Sequence, residues 1–152
     1  MSKQLIYLMF SKSCEYGIKA IIYIATRSLE GERVKIGEVS SGINAPEAFT
    51  AKILTFLIKQ KILESKTGPF GGFFIDNKKM TEINVSDIVF AIDGDNLYKG
   101  CGLGLKACNS KQPCPMHDKF IKIREDLRKM LETTSILDLT TGLKSGKTIL
   151  NR

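Results

Sequence analysis

The side chains with most chemical capacity lie in one run, Cys101-Gly-Leu-Gly-Leu-Lys-Ala-Cys108-Asn-Ser-Lys-Gln-Pro-Cys114-Pro-Met-His117. Three of the four cysteines and the only histidine fall within its seventeen positions. The run is too rich in Gly and Pro to hold a regular helix or a central strand, so it is a loop. Thiolates and neutral imidazole are the donors that soft and borderline metals select, which makes it a candidate metal or iron-sulfur loop with three sulfurs and one nitrogen. The gaps of six, five and two residues are not the short C-x-x-C pairs of a zinc ribbon. A long open loop suits a polynuclear cluster better. The alternative is three unconnected thiols beside a surface histidine. Cys14 has no partner in the sequence and reads as a small buried hydrophobe.

Such a loop needs a scaffold, and 152 residues suffice for one domain, or one compact domain with an appendage. The chain opens on no charged and apolar leader pattern, and no apolar run approaches the length of a membrane span. The expectation is therefore a cytoplasmic protein with reduced thiols and no membrane partner. Lys and Arg number 23 against 16 Asp and Glu, a net charge of +7. That balance favours a polyanionic partner held through phosphate contacts, without distinguishing DNA from RNA or an acidic membrane. No constellation of catalytic groups and no substrate pocket is legible, so the chain is not expected to be an enzyme or to bind a small-molecule substrate.

Helical spacing of Tyr16, Ala20, Ile21, Ile24 and Ala25, with Gly31 as a stop, predicts a first helix over 12–29. The stretch 34–39 is short, and Ser40-Ser41-Gly42 after it reads as a turn. Asn44-Ala-Pro-Glu47 predicts the start of a capped second helix running to about Gln60, with Asn44 as cap and Glu47 reaching back to it. Phe49, Ile53, Phe56 and Leu57 mark its apolar face, and Thr50 and Lys52 its exposed one. Two short extended runs around Gly68-Pro-Phe-Gly-Gly72 predict a hairpin immediately afterwards, flanked by Lys66, Lys78 and Lys79. Its bare glycine backbone could approach phosphates. Asn84 can cap a further helix ending at Gly94. Beyond the cysteines, Phe120, Ile123, Leu127, Met130, Thr134 and Leu137 form a narrow apolar seam on a highly charged segment, better suited to pairing with a copy of itself than to packing in its own core. The residues from Thr140 onward are expected to fray.

The combination of Tyr16-Gly-Ile-Lys-Ala20, the helix Ala45-Pro-Glu-Ala-Phe49-Thr-Ala-Lys52-Ile-Leu54, the hairpin Thr67-Gly-Pro-Phe-Gly-Gly-Phe73, the run Asp87-Ile-Val-Phe-Ala-Ile-Asp-Gly94 and the cysteine loop resembles the IscR and NsrR superfamily of winged-helix transcription regulators, the Rrf family, type two. The resemblance covers residues 10–139. It implies a mainly α fold with a small β wing: a winged helix-turn-helix DNA-binding domain over 1–94, a cluster-binding loop over 95–117, a dimerisation helix over 118–140 and a flexible tail over 141–152. It further implies a homodimer on double-stranded operator DNA, its binding governed by an iron-sulfur cluster on Cys101, Cys108 and Cys114. IscR-like members carry a histidine three residues after the last cysteine, the place of His117. Some NsrR-like members use an acidic side chain from the first helix of the other subunit, and Glu15 is similar in position. A histidine ligand favours a 2Fe–2S cluster, with 4Fe–4S as the other option.

On this reading Glu47, Thr50 and Lys52 face the major groove, and Lys66, Thr67, Gly68, Gly71 and Gly72 bring the wing to an adjacent groove or phosphate. Many relatives have Arg before the wing glycines, where this chain has Thr67 preceded by Lys66. Two other functions compete: a DNA-binding protein with zinc or a thiol switch in the loop, and a cluster-bearing electron carrier.

Overall fold

The computed structural model of the protein describes residues 9–152; for residues 1–8 the expectation that no helix begins before Ser11 lies outside the described residues. The elements follow in the order α1 (Lys12–Ser28), α2 (Ile36–Gly42), α3 (Glu47–Lys59), β1 (Glu64–Lys66), β2 (Gly72–Phe74), α4 (Asn77–Glu82), α5 (Val85–Asp93), α6 (Asn96–Lys99), α7 (His117–Thr133) and α8 (Ile136–Lys144). No helix among the described residues is long and apolar enough to cross a membrane.

α1 is the hub, packed against α8, α5, α3, α2 and β2. Its side chains at three- and four-residue spacing, Cys14, Gly17, Ala20, Ile21, Ile24 and Ala25, are all buried. They join Leu54 and Leu57 of α3, Ile88 of α5 and Ile136 of α8 in one core. Each such aliphatic side chain contributes about 1.5–3 kcal/mol by leaving water. β1 and β2 pair antiparallel, with Lys66 opposite Gly72, and Val34 adds a bridge to Phe73 on the other side. This is the helix-turn-helix and wing arrangement that the sequence predicts.

A second, smaller cluster joins Cys14, Val85, Val89 and Leu131, flanked by Phe10, Leu97, Tyr98 and Leu127. It fastens the start of α1 and one face of α5 to α7. Asn84 caps α5 as expected, with its side chain and that of Asp87 forming a capping box, and Gly94 ends the helix at φ 69°.

Several boundaries differ from expectation. Ser40-Ser41-Gly42 continues α2 instead of turning, because Ser40 is buried and its hydroxyl donates to the Gly37 carbonyl at 3.1 Å. Asn44 does not cap α3: it takes a left-handed φ of 52°, and Pro46 occupies the cap position. The short helices α4 and α6 were not anticipated, although Asp76 caps α4 through Lys78 N–H at 2.9 Å.

The largest correction concerns the expected single helix over 118–140. It breaks after Thr133, and Ser135 with Asp138 makes a capping box that starts α8. The tail expected to fray from Thr140 is instead a helix to Lys144 seated against α1, with Ile136 and Thr140 fully buried. The expected flexible-tail boundary therefore cuts through α8, which completes the core of the winged unit.

Candidate metal centre and nucleic-acid interface

The donor loop leaves the end of α5 and returns at the start of α7. At its origin the Asp93 carboxylate accepts from the Ser11 backbone N–H at 2.9 Å and from the Ser11 hydroxyl. Ser11 in turn caps α1 by accepting from Cys14 N–H at 3.0 Å. The loop's root and the first turn of α1 are thus one hydrogen-bonded unit. Gly102 lies directly on the Phe120 ring, where an added Cβ would come within 2.3 Å of it, so a side chain at this position would lift the loop off α7. The Gly104 N–H closes a turn on the Cys101 carbonyl at 3.0 Å. At the far end, His117 N–H donates to the Cys114 carbonyl at 3.0 Å, which places both residues in the turn that opens α7.

Two of the four loop donors, Cys108 and His117, meet directly. His117 is buried, and its Nδ1 lies 3.4 Å from Cys108 Sγ. The Cys101 pKa is lowered mainly by the backbone N–H groups of Leu103 and Leu105, with the Cys114 thiol adding to them. All four cysteines are free thiols. Among the described residues no three His, Cys, Asp or Glu side chains converge on one point as ligands of a single ion. The Glu15 carboxylate lies 3.2 Å from Lys12 Nζ. A mononuclear zinc site would need all four donors in one tetrahedral shell.

A cleft of about 770 Å³ adjoins Cys101, lined among others by Asp93, Leu97, Phe120, Arg124 and Leu127. One turn further along α7 the Arg128 guanidinium lies 4.5 Å from the centre of the Tyr98 ring. Cys14 is remote in character from these donors: burial, reinforced by Asp93, pushes its thiol up to about 12. It is an inert core thiol, as the sequence suggested.

On the winged face Glu47 and Lys52 project from α3 into solvent. Thr50 does not, contrary to expectation. It is buried, and its hydroxyl donates to the Pro46 carbonyl at 2.8 Å, so it supports the start of α3 from within. Lys66, Thr67 and Gly68 are exposed on the wing. Gly71 is buried, with its N–H committed to the Gly68 carbonyl at 3.0 Å, and Gly72 lies against the Val34 backbone. Those two glycines shape the wing from inside. The wing's most exposed apolar residue is Phe70, which is not among the predicted DNA-binding residues; an aromatic at a hairpin tip is the signal in the sequence that points to it.

The family model Rrf2, described as iron-dependent transcriptional regulator, matches residues 10–142. The chain belongs to the Rrf2 family. This Rrf2 chain is 29% identical over 135 residues to a protein of Aquifex aeolicus (strain VF5) named as an HTH-type transcriptional regulator, covering 87% of this chain and 91% of the relative. Its fold is similar to that of CymR, the global cysteine regulator of B. subtilis, with a TM-score of 0.73 at 19% identity, covering 88% of this chain and 97% of CymR. T. potens IscR gives a TM-score of 0.70 at 17% identity, covering 93% of each chain. The Rrf2 protein described here is accordingly a winged-helix transcriptional regulator, and its relatives are regulators rather than enzymes.

Proposed function

We propose that this Rrf2 protein is a homodimeric operator-binding regulator whose DNA affinity or site preference is set by a 2Fe–2S cluster on Cys101, Cys108, Cys114 and His117. The observation that carries this reading is the gathering of three thiols and one imidazole on a single loop, with Cys108 Sγ 3.4 Å from the buried His117 Nδ1. When bound, such a cluster supplies one-electron redox chemistry and a point of attack for oxidants or nitric oxide. The chain's own residues supply the rest. Three thiolates and the His117 imidazole hold the loop between the end of α5 and the first residue of α7. Asp93 and Ser11 tie that loop to α1, against which α3 is packed. Order in the loop therefore bears on the placement of α7 relative to the reading head. Ile123, 61% exposed, and Met130, 51% exposed, lie on the outer face of α7 and supply the dimer seam. Glu47 and Lys52 enter the major groove, and Lys66, Thr67 and Gly68 reach the neighbouring backbone or minor groove.

Visible absorption of anaerobically purified protein, with iron, zinc and acid-labile sulfide analysis, tests this directly. The expected result is about two irons and two sulfides per chain, with absorption lost in Cys101→Ala, Cys108→Ala and Cys114→Ala and spectrally altered in His117→Ala. Stoichiometric zinc without sulfide would replace the cluster by a zinc site. A spectrum altered by Glu15→Ala but not by His117→Ala would move the fourth ligand to the acidic residue.

A further inference from the structure

We propose that Phe70, at the tip of the wing, is an apolar wedge that enters the minor groove of the operator and unstacks a flexible base step. This rests on the operator-binding reading above. Phe70 is 88% exposed, more than any other large hydrophobic side chain among the described residues. It sits in a four-residue turn closed by Gly71 N–H donating to the Gly68 carbonyl at 3.0 Å. Pro69 precedes it and fixes φ at the first central position, while Phe70 itself is not in the positive-φ region, as in a type I turn. The foot of that turn is shut: a Cβ on Gly71 would lie 2.0 Å from the Lys66 carbonyl oxygen. Both carbonyls of the tip are also held from behind. Lys35 Nζ donates to the Gly68 carbonyl at 3.0 Å, and Arg33 Nη1 to the Phe70 carbonyl at 3.4 Å, with the Arg33 guanidinium lying 5.1 Å from the centre of the Phe74 ring. An exposed aromatic ring is therefore carried on a braced turn between cations.

Magnitudes and charge choose the partner. One phenylalanine covers about 150–250 Å², far below the roughly 800 Å² per side of a stable protein interface. A wedge between base steps needs no more than one such ring. Arg33 and Lys35, which hold the carbonyls of the tip, and Lys66 on β1 complement a phosphate-lined groove, as they would not complement an apolar partner. The steps that yield most easily to such a wedge are pyrimidine–purine steps.

The test uses the full-length chain and duplexes enriched from a random-sequence library by the wild-type protein. Operator affinity, duplex bending by end-to-end energy transfer, and fluorescence of 2-aminopurine placed at each step beneath the wing are measured for wild type, Phe70→Ala and Phe70→Leu. Phe70→Ala should weaken binding roughly tenfold, reduce the bend, abolish the 2-aminopurine signal and relax preference at the pyrimidine–purine step. Phe70→Leu should keep much of the bend. The dependence of affinity on salt should be unchanged, since no charge is lost. A Phe70→Ala variant within about twofold of wild type overturns the wedge, as does weaker binding with unaltered bending and 2-aminopurine fluorescence. A wild-type chain that enriches no duplex overturns the operator-binding reading and the wedge with it, whereas intact selection with an inert Phe70 overturns the wedge alone.

Discussion

Around α1, the large aliphatic side chains from Ile21 to Ile136 find apolar neighbours within the same chain. Between α6 and the end of α7, by contrast, Leu103, Leu105, Ile123 and Met130 stand in solvent, and the loop is shaped by turns and the contact of Cys108 with His117. The first region is specified by burial and capping. The second leaves apolar and sulfur groups without such neighbours, and on the proposed function their partners are a metal centre for the thiols and another copy of the chain for α7. A regulator benefits from that division, because the reading head stays folded while the region that responds does not set its stability.

The contrast can be broken most severely at α7. Replacing Ile123 and Met130 together by Glu should convert the dimer to a monomer, weakening association by at least about a hundredfold, or about 2.7 kcal/mol, as two-fold symmetry repeats each unpaired charge. Sedimentation would measure this, and urea unfolding of the isolated chain should stay nearly unchanged. A variant that still sediments as a dimer would remove the seam from α7. The contrast is sharpened by matched truncations in the two regions. Leu54→Ala, in the core, should cost about 2–5 kcal/mol in urea unfolding, and Leu105→Ala, in the loop, no more than about 0.5 kcal/mol in metal-free protein. Equal costs would mean that the loop is packed after all.

The smallest effect is confined to alkaline pH. Folding raises the Cys14 pKa from 9.0 to about 12. The folded state therefore holds this proton more tightly than the unfolded state. The resulting stability is fully present below the unfolded value and is lost as pH rises from about 9 towards 12, about 1 kcal/mol over the first unit above 9. In Cys14→Ala that slope should flatten in thermal melts across this range. An unchanged slope would assign it to other groups.

Much of the winged unit was legible because its signals are local and agree with one another. Ser11 and Asn84 are caps followed by helical apolar periodicity, and the wing glycines interrupt two extended runs. Where the reading failed, tertiary contacts outweighed local preference. Buried Ser40 and buried Thr50 return their hydroxyls to their own helix backbones, so residues that usually mark turns or exposed faces sit inside helices. The break between α7 and α8 was detectable in principle, since Ser135-Ile-Leu-Asp138 is a capping-box pattern. The seam of three- and four-residue spacings running through it concealed it. The residues with donor chemistry were legible from their types. The contact between Cys108 and His117 was not, because gaps along a loop do not reveal which ends meet in space.

The break at Thr134 and Ser135 gives α7 a fulcrum. There Val85 N–H donates to the Thr134 carbonyl at 2.9 Å and Ile136 N–H to the Ile83 carbonyl at 3.0 Å, pinning one end of the helix to the start of α5. His117 is the first residue at the opposite end. A helix of 17 residues is an arm about 26 Å long, so moving the His117 end sideways by about 2 Å swings the arm through about 5°. On the proposed function, exchange of a ligand at that tip would act at the far end of the arm. In a symmetric pair the separation of the reading heads would then be adjusted by the angle of the arm, with the side chains of Leu127 and Leu131 repacking against α1 and α5 as it turns.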